Sequence, residues 1–152
     1  MKKLVLIACL FMITSCYAYQ IINMEDYIQQ AQEELTEESL KLQAKLDARV
    51  PVKSKASAGK VTKHAIELDN FSYSIFIIGD DAFSRQWLKE YAQELEEKNA
   101  LGFITNVENS ARLDELQELT KAPLLPADVD DLLALFKESH YPFIVYEGVL
   151  WQ

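Results

Sequence analysis

Two adjacent carboxylates, Asp80 and Asp81, stand where an α/β protein would place its chemistry. They follow a continuous apolar run and a glycine, and ligands of open α/β sheets bind at the carboxyl ends of strands. Such a pair could hold Mg²⁺, as in a phosphoryl-accepting receiver domain. That chemistry also needs a third acid and a lysine at later strand ends, where the chain offers Thr105-Asn106 and residues 143–145 without a lysine. We therefore expect Asp80 and Asp81 to close the strand and cap the helix beginning near Ser84.

Thiol chemistry is the second option at the same position. A thioredoxin-type enzyme needs a cysteine pair at the start of this helix, whose N-terminus activates the thiolate. Residues 81–85 contain no cysteine, and the chain's two cysteines, Cys9 and Cys16, both lie in the first twenty residues. We expect neither disulfide exchange nor a bound cofactor.

Hydrolytic or zinc chemistry would have to use the two histidines, His64 and His140. A catalytic triad needs a nucleophile, a base and an orienting acid, and no serine lies in a Gly-x-Ser-x-Gly elbow. Two histidines far apart, without acids at ligand spacing, do not make a zinc site. We predict that the protein is not an enzyme; an enzyme using Asp80, Asp81 and His140 is the least favoured hypothesis.

Residue types that anchor protein interfaces gather around the same sheet edge. Arginine and aromatic residues are enriched at such interfaces, and Arg85 and Trp87 lie on the first turn of the helix. We expect Trp87 to be core, and Trp151, in a C-terminal hairpin predicted to be exposed, to be the better contact. The candidate partner-contact residues are Asp80, Asp81, Ser84, Arg85, His140, Tyr141, Pro142 and Trp151.

The overall charge limits the class of partner. The chain has 152 residues, 24 acidic and 15 basic, with a formal net charge of −9. That length suits one domain, and the acidic balance argues against direct nucleic-acid binding, which needs a basic surface. Other proteins are therefore the expected partners.

The N-terminus has the pattern of a secretory signal over residues 1–18. Lys2 and Lys3 precede an apolar run of about ten residues, which is too short to span a membrane. An ordinary cut before Tyr19 fits, and so does a bacterial lipobox that makes Cys16 the lipidated first residue after a signal of residues 1–15. The protein is expected in the periplasm, either free or as an outer-membrane-anchored lipoprotein.

Residues 19–49 are predicted to be an amphipathic helical segment, as one helix or two broken near Thr36. Apolar residues recur at intervals of three, four and seven: Ile28, Ala31, Leu35, Leu42 and Leu46. This stripe either lies on the protein's own domain or pairs with a partner protein. A basic linker, residues 50–63, follows, with Lys53, Lys55, Lys60 and Lys63 and no acid; it is either solvated or meets an acidic partner or lipid surface.

Residues 64–152 are predicted to fold as an α/β domain. We expect an imperfect edge strand at 61–68, strands at 74–79 and 101–107, and helices at 84–99, 110–119 and 128–139. A proline-bounded connector at 122–126 and a terminal hairpin, 143–146 and 149–152, complete the pattern. This order predicts a thioredoxin-like mixed sheet flanked by helices, without the redox cysteine pair. In that fold a cis-proline precedes the third core strand, and Tyr141-Pro142 stands there.

Three segments together resemble the integrating conjugative element protein family. These are exported proteins encoded on mobile chromosomal islands beside type IV secretion genes. Residues 78–88 resemble the family's strand-to-helix signature, and residues 101–107 its second strand, which contains a glycine and ends in Asn-Val. His140-Tyr141-Pro142 with the terminal Gln152 is similar to its C-terminal end. With similar segments at 51–54 and 59–61, the resemblance covers residues 50–152.

The resemblance implies a bacterial cell-envelope protein linked to conjugative DNA transfer, with a thioredoxin-like fold and no catalytic residue to carry over. We expect a non-enzymatic component of the conjugation apparatus that contacts other envelope proteins. The alternative is a free periplasmic peptide-binding or chaperone-like protein that holds an extended peptide along the Tyr141-Pro142 edge. The Glu/Gln-rich helix at 23–49 and the aromatic residues of 143–151 depart from the family pattern and leave the partner open.

Overall fold

A computed structural model describes residues 24–67 and 71–152. The described residues fall into two units, with the boundary between Ser39 and Leu40. The predicted signal, including Cys9, Cys16 and the cut before Tyr19, lies outside the described residues. In the described part of the chain, no helix is long and apolar enough to cross a bilayer.

The first described element is one uninterrupted helix, α1, over Met24–Asp47. Thr36 does not begin a second helix, because its hydroxyl donates to the carbonyl oxygen of Gln32 at 2.8 Å, a bond that hydroxyl side chains make inside helices. Four of the larger apolar side chains of α1 are exposed, namely Ile28, Leu35, Leu40 and Leu42, whereas Leu46 is half-buried. Local propensity, rather than burial of these residues, therefore holds the helix.

Strands and helices alternate through the rest of the chain. In chain order they are β1 (Ser57–Ala58), β2 (His64–Ala65), β3 (Ile75–Gly79), α2 (Ala82–Glu97), β4 (Leu101–Thr105), α3 (Ser110–Gln117), β5 (Leu124–Pro126), α4 (Asp130–Phe136), β6 (His140–Tyr141), β7 (Phe143–Tyr146) and β8 (Val149–Trp151).

Six of these strands form one mixed sheet in the order β2-β8-β7-β3-β4-β5. Strands β3, β4 and β5 are parallel, whereas β7 runs antiparallel to β3 and to β8. Phe76, Ile77 and Ile78 of β3 are fully buried, as a strand covered on both faces requires. The predicted mixed α/β class, with flanking helices and an N-terminal helical extension, is confirmed.

The two faces of the sheet carry separate apolar cores. Phe76 and Ile78 pack with Leu88 of α2 and Leu116 of α3. Ile77 points to the opposite face, where its cluster includes α4 residues such as Phe136. Helices therefore cover both faces and hold β3 at the centre.

One predicted connector is a strand. Residues 122–126 were expected to be irregular because prolines bound them, yet Leu124–Pro126 forms β5 and pairs in parallel with β4. Proline is tolerated in an edge strand, where its missing N–H faces away from the sheet. Two helices are shorter than predicted: α3 ends at Gln117, and α4 ends at Phe136 because Lys137 adopts a left-handed conformation, φ 58°.

The basic segment 50–63 is part of the second unit rather than a linker outside it. Val52, Ala56 and Val61 are buried, while Lys53, Lys55, Lys60 and Lys63 are exposed. Its strand β1 pairs in parallel with β6. The alternation of lysines with small apolar residues therefore anchors the segment and leaves its charges in solvent.

Candidate functional site

The carboxyl end of β3 leads directly into a helix cap. The Asp81 carboxylate accepts hydrogen bonds from the backbone N–H and the hydroxyl of Ser84, at 2.9 and 2.7 Å. The Ser84 hydroxyl in turn accepts from the N–H of Gly79 at 3.0 Å. Asp81 is thus the N-cap of α2, so the predicted capping role is confirmed, and α2 begins at Ala82 rather than near Ser84.

Asp80 has a different role, because it pairs with two arginines instead of capping. Its Oδ1 lies 2.7 Å from Nη2 of Arg85, and its Oδ2 lies 2.8 Å from Nε of Arg112. Glu115 accepts from both arginines, at 3.1 and 2.9 Å. Arg112 and Glu115 lie on α3, so this network of four charges ties α3 to the start of α2.

The pairing shifts the pKa values of two members of the network, Asp80 and Arg112. Burial raises the pKa of the Asp80 carboxyl, but hydrogen bonds and charge from Arg112 and Arg85 outweigh it, so that this pKa lies below its ordinary value. The same hydrogen bond and the charge of Asp80 raise the pKa of Arg112. Both carboxylate oxygens of Asp80 accept hydrogen bonds from guanidinium groups, which favours the charged form of Asp80.

A metal site at this edge is not supported by the geometry. Asp81 is engaged by its own helix N-terminus, and Asp80 by the two arginines. Nowhere in residues 24–67 and 71–152 do three or more His, Cys, Asp or Glu side chains gather as a metal site would need.

The ring of Tyr141 covers Gly79 at the same edge of the sheet. A Cβ at Gly79 would lie 2.5 Å from Cζ of the Tyr141 ring, so only glycine permits this close approach. The Tyr141 hydroxyl accepts a hydrogen bond from the Asn106 amide at 3.0 Å. Burial raises the pKa of this phenol, the bond from Asn106 opposes the rise, and the nearby Asp81 and Asp80 add to it.

The chain's own residues 52–59 cover the remaining polar groups of this edge. The Ser54 N–H donates to the Asn106 side chain at 3.0 Å, and the Ser54 hydroxyl accepts from Thr105 at 2.9 Å. Asn106 also donates to the carbonyl oxygen of Ala56 at 2.9 Å. Residues 52–59 of the same chain therefore occupy the place where an open α/β sheet would bind a ligand.

The backbone beside Pro142 is also covered by the chain's own segment, through strand pairing. The Tyr141–Pro142 peptide bond is cis, and Ser57–Ala58 runs in register with His140–Tyr141. The Gly59 N–H donates to the Tyr141 carbonyl at 2.9 Å. The side-chain amide of Gln152 joins this segment to the core by donating to the carbonyls of Gly59 and Pro142, at 2.8 and 2.9 Å.

The sequence analysis did not predict one contact that could support chemistry, between Ser57 and His140. Oγ of Ser57 lies 3.1 Å from Nδ1 of His140, because β1 and β6 bring together residues 83 positions apart. A hydrolytic relay would also need an acid that orients the imidazole. Among the described hydrogen bonds and ion pairs, the partner of His140 is Ser57.

The predicted contact residues therefore separate into two groups. Asp80, Asp81, Ser84, Arg85 and Tyr141 share the carboxyl edge of β3. His140 and Pro142 lie along the adjoining edge.

Trp151 lies apart from both groups, and the expectation that it is exposed is wrong. It is half-buried, with its ring edge against Tyr91 at 5.4 Å between centroids. Tyr91 in turn contacts Trp87 at 5.1 Å. Trp87 is 4% exposed, as the prediction of a core residue requires.

Comparison with known proteins shows the family to which the chain belongs. No curated protein matches the chain. No solved structure matches it either. A family model described as a protein of unknown function, DUF2859, matches residues 14–149. Since that match spans most of the 152 residues, the chain belongs to the DUF2859 family.

Proposed function

We propose that the protein is a non-enzymatic component of the cell envelope that serves the conjugation or type IV secretion apparatus of an integrative conjugative element. It acts through contacts with other envelope proteins. The secretory pattern of residues 1–18 and the resemblance of residues 50–152 to integrating conjugative element proteins support the location and the apparatus.

The observation that carries a contact role is the exposed apolar surface of α1. Ile28, Leu35 and Leu42 are each between 49% and 68% exposed. Apolar residues that share one face of a helix and remain in solvent mark an interaction surface. A catalytic role has no comparable support, because side chains and residues 52–59 fill the carboxyl edge of the sheet.

A thioredoxin-like ancestry is part of the proposal. With β5, α4 and β6 left aside, the order β3, α2, β4, α3 followed by the antiparallel β7 and β8 resembles that of a thioredoxin core. The helix that would carry the redox pair begins Ala82-Phe83-Ser84. A protein that keeps this scaffold without cysteines is suited to binding rather than to disulfide exchange.

Peptide capture along the Tyr141-Pro142 edge is the weaker alternative. An incoming strand needs free backbone groups, and Ser57–Ala58 already pairs with His140–Tyr141. A chaperone role would require release of a segment anchored by the buried Val52, Ala56 and Val61. The structure favours a partner at another surface.

Deletion of the gene tests the proposal directly. Transfer of the element between cells should fall and should be restored by the wild-type gene and by a variant carrying Ser57→Ala and His140→Ala. Unchanged transfer together with no co-purifying envelope protein would refute the proposed function. Loss of rescue by the folded double variant would instead show that the Ser57–His140 pair takes part in function, either as a partner contact or as a catalytic pair.

Mass spectrometry of the mature N-terminus settles the location. A diacylated Cys16 would anchor the protein firmly, since two acyl chains suffice where one is marginal. A free Tyr19 would mark a soluble periplasmic protein.

A further inference from the structure

We propose that α1 binds a basic amphipathic helix of another envelope protein along the face that carries Ile28, Leu35 and Leu42. The inference deepens the proposed function, on which it rests, because it names the chemistry of the partner. The partner helix presents an apolar stripe to these residues and lysines or arginines to the acids around them.

The spacing of the three residues suits a two-helix interface. They recur every seven residues, and seven residues of an α-helix return to within about 20° of the same direction. Ala31 and Leu46 lie on the same side. Ile28 is 49% exposed, Leu35 68% and Leu42 59%, so the face is available to a second helix.

The charge of α1 selects the partner. Between Met24 and Asp47 the sequence has two basic residues and seven acidic ones, a net charge of 2 − 7 = −5. Two of the acids, Glu34 and Glu38, flank Leu35 on the side of the stripe, and both basic residues of the helix, Lys41 and Lys45, follow Leu40. A basic helix would be attracted to this surface and oriented by it, since complementary charge sets partner choice between paired helices.

The same charges argue against a parallel pair of α1 helices. In such a pair, Glu38 of one helix would meet Glu38 of the other on the same side as the stripe, and like charges across an interface are destabilising. An antiparallel pair would be detected as a wild-type dimer in the test below.

A matched pair of leucines gives the test. Leu40 is 65% exposed, close to the 68% of Leu35, but five residues turn it about 140° away from Leu35 around the helix axis. Leu35→Glu and Leu40→Glu add the same charge to the same helix. They differ in whether the apolar stripe is interrupted.

The probes are two synthetic amphipathic peptides with leucines at heptad spacing, one flanked by lysines and the other by glutamates. Titration of each labelled peptide with the full exported chain would be followed by fluorescence anisotropy. We expect the lysine peptide to bind at least about tenfold more tightly than the glutamate peptide. Leu35→Glu should weaken it at least about tenfold, and Leu40→Glu less than about twofold.

Three results would overturn the inference: equal binding of both peptides, equal weakening by the two variants, or a wild-type dimer that Leu35→Glu dissociates. Circular dichroism checks that the variants keep the helix. If Leu35→Glu loses it, the pair Leu35→Ala and Leu40→Ala replaces it, because alanine favours the helix.

Transfer assays separate this inference from the proposed function. If deletion of the gene reduces transfer while Leu35→Glu supports normal transfer, the helix inference fails and the proposed function stands. If deletion leaves transfer unchanged and no envelope protein co-purifies, the proposed function itself fails, and the docking inference fails with it.

Discussion

Leucine side chains differ sharply in solvent exposure between two helices of this protein. Leu88 of α2 is fully buried, whereas Leu35 of α1 is 68% exposed. Leu88 belongs to the core that contains Phe76 and Ile78 of β3, and the sheet supplies a partner surface for every inward position of α2. In the described residues α1 has no such surface for Leu35. Amphipathic spacing therefore marks a face that can be buried, without stating what buries it.

Burial of leucine contributes much to the stability of the fold at α2 and little at α1. Complete burial of a leucine stabilises a fold by about 1.5–3 kcal/mol. Leu88 makes that contribution within the chain, whereas Ile28, Leu35 and Leu42, which are 49–68% exposed, contribute little of it in the described structure.

The largest expected effect comes from shortening a leucine on each helix. Leu88→Ala should lower the free energy of unfolding by about 2–5 kcal/mol, because it removes buried methyl groups and leaves a cavity. Leu35→Ala should change it by less than about 0.5 kcal/mol. Urea unfolding followed by tryptophan fluorescence measures both, since Trp87 is buried in the same core. Equal losses would show that the exposed face of α1 is buried after all.

The next effect concerns the charges that join α2 to α3. Asp80→Asn should cost about 1–3 kcal/mol at pH 7, because Arg85 and Arg112 lose a charged acceptor. Asp114→Asn, at an exposed position of α3, is the matched control and should change stability by less than about 0.5 kcal/mol.

The pH dependence of this difference has a defined sign. The pKa of Asp80 is lower in the folded protein than its ordinary value. Its stabilisation is therefore complete above the unfolded pKa of about 3.9 and is lost as pH falls through the folded pKa. Unfolding of wild type and Asp80→Asn between pH 7 and pH 2 should converge at the acid end. A difference that persists unchanged at pH 2 would mean that the carboxylate does not hold the arginines.

A smaller effect is expected at the phenol that covers Gly79. Tyr141→Phe should cost about 0.5–1.5 kcal/mol at pH 7, because the Asn106 amide loses its acceptor. The matched control, Tyr73→Phe, changes a side chain that is 70% exposed and should have less effect than about 0.5 kcal/mol.

Tyr141 should also make the fold sensitive to alkali. Its pKa is raised in the folded state, so the neutral phenol contributes stability that is present below the unfolded pKa of about 10 and is lost as pH rises through the folded pKa. Between pH 7 and pH 10–11, Tyr141→Phe should therefore lose less free energy of unfolding than wild type does. An identical alkaline loss in both proteins would place the sensitive group elsewhere.

The strands with the strongest local signals were predictable. Residues 75–79 are almost entirely apolar, and such a run can only be satisfied by burial on both faces. The Glu147-Gly148 turn was equally clear, because the hairpin needs positive φ and Gly148 adopts 75°. In contrast, β5 has three residues, and its pairing with β4 is not visible in local sequence.

The chemistry of the site was predictable only where the partners are close in sequence. Asp81 caps a helix three residues away at Ser84, and a capping pattern can be read directly. Asp80 meets Arg112 across 32 residues, and Ser54 meets Asn106 across 52. Such pairings depend on how the segments pack, which no local pattern specifies. The sequence therefore predicts a linker at 50–63, although Val52, Ala56 and Val61 of this segment are buried and its residues cover the sheet edge.

Hydrogen exchange of the full chain, with and without the lysine-flanked peptide, tests the central claim most directly. An isolated helix of this length is marginally stable, so amides in residues 24–39 should exchange much faster than those of β3 and β7. The peptide should slow exchange in α1 and leave β3 and β7 unchanged. Equal protection of α1 and the sheet without peptide, or slowing confined to residues 50–152, would contradict the account.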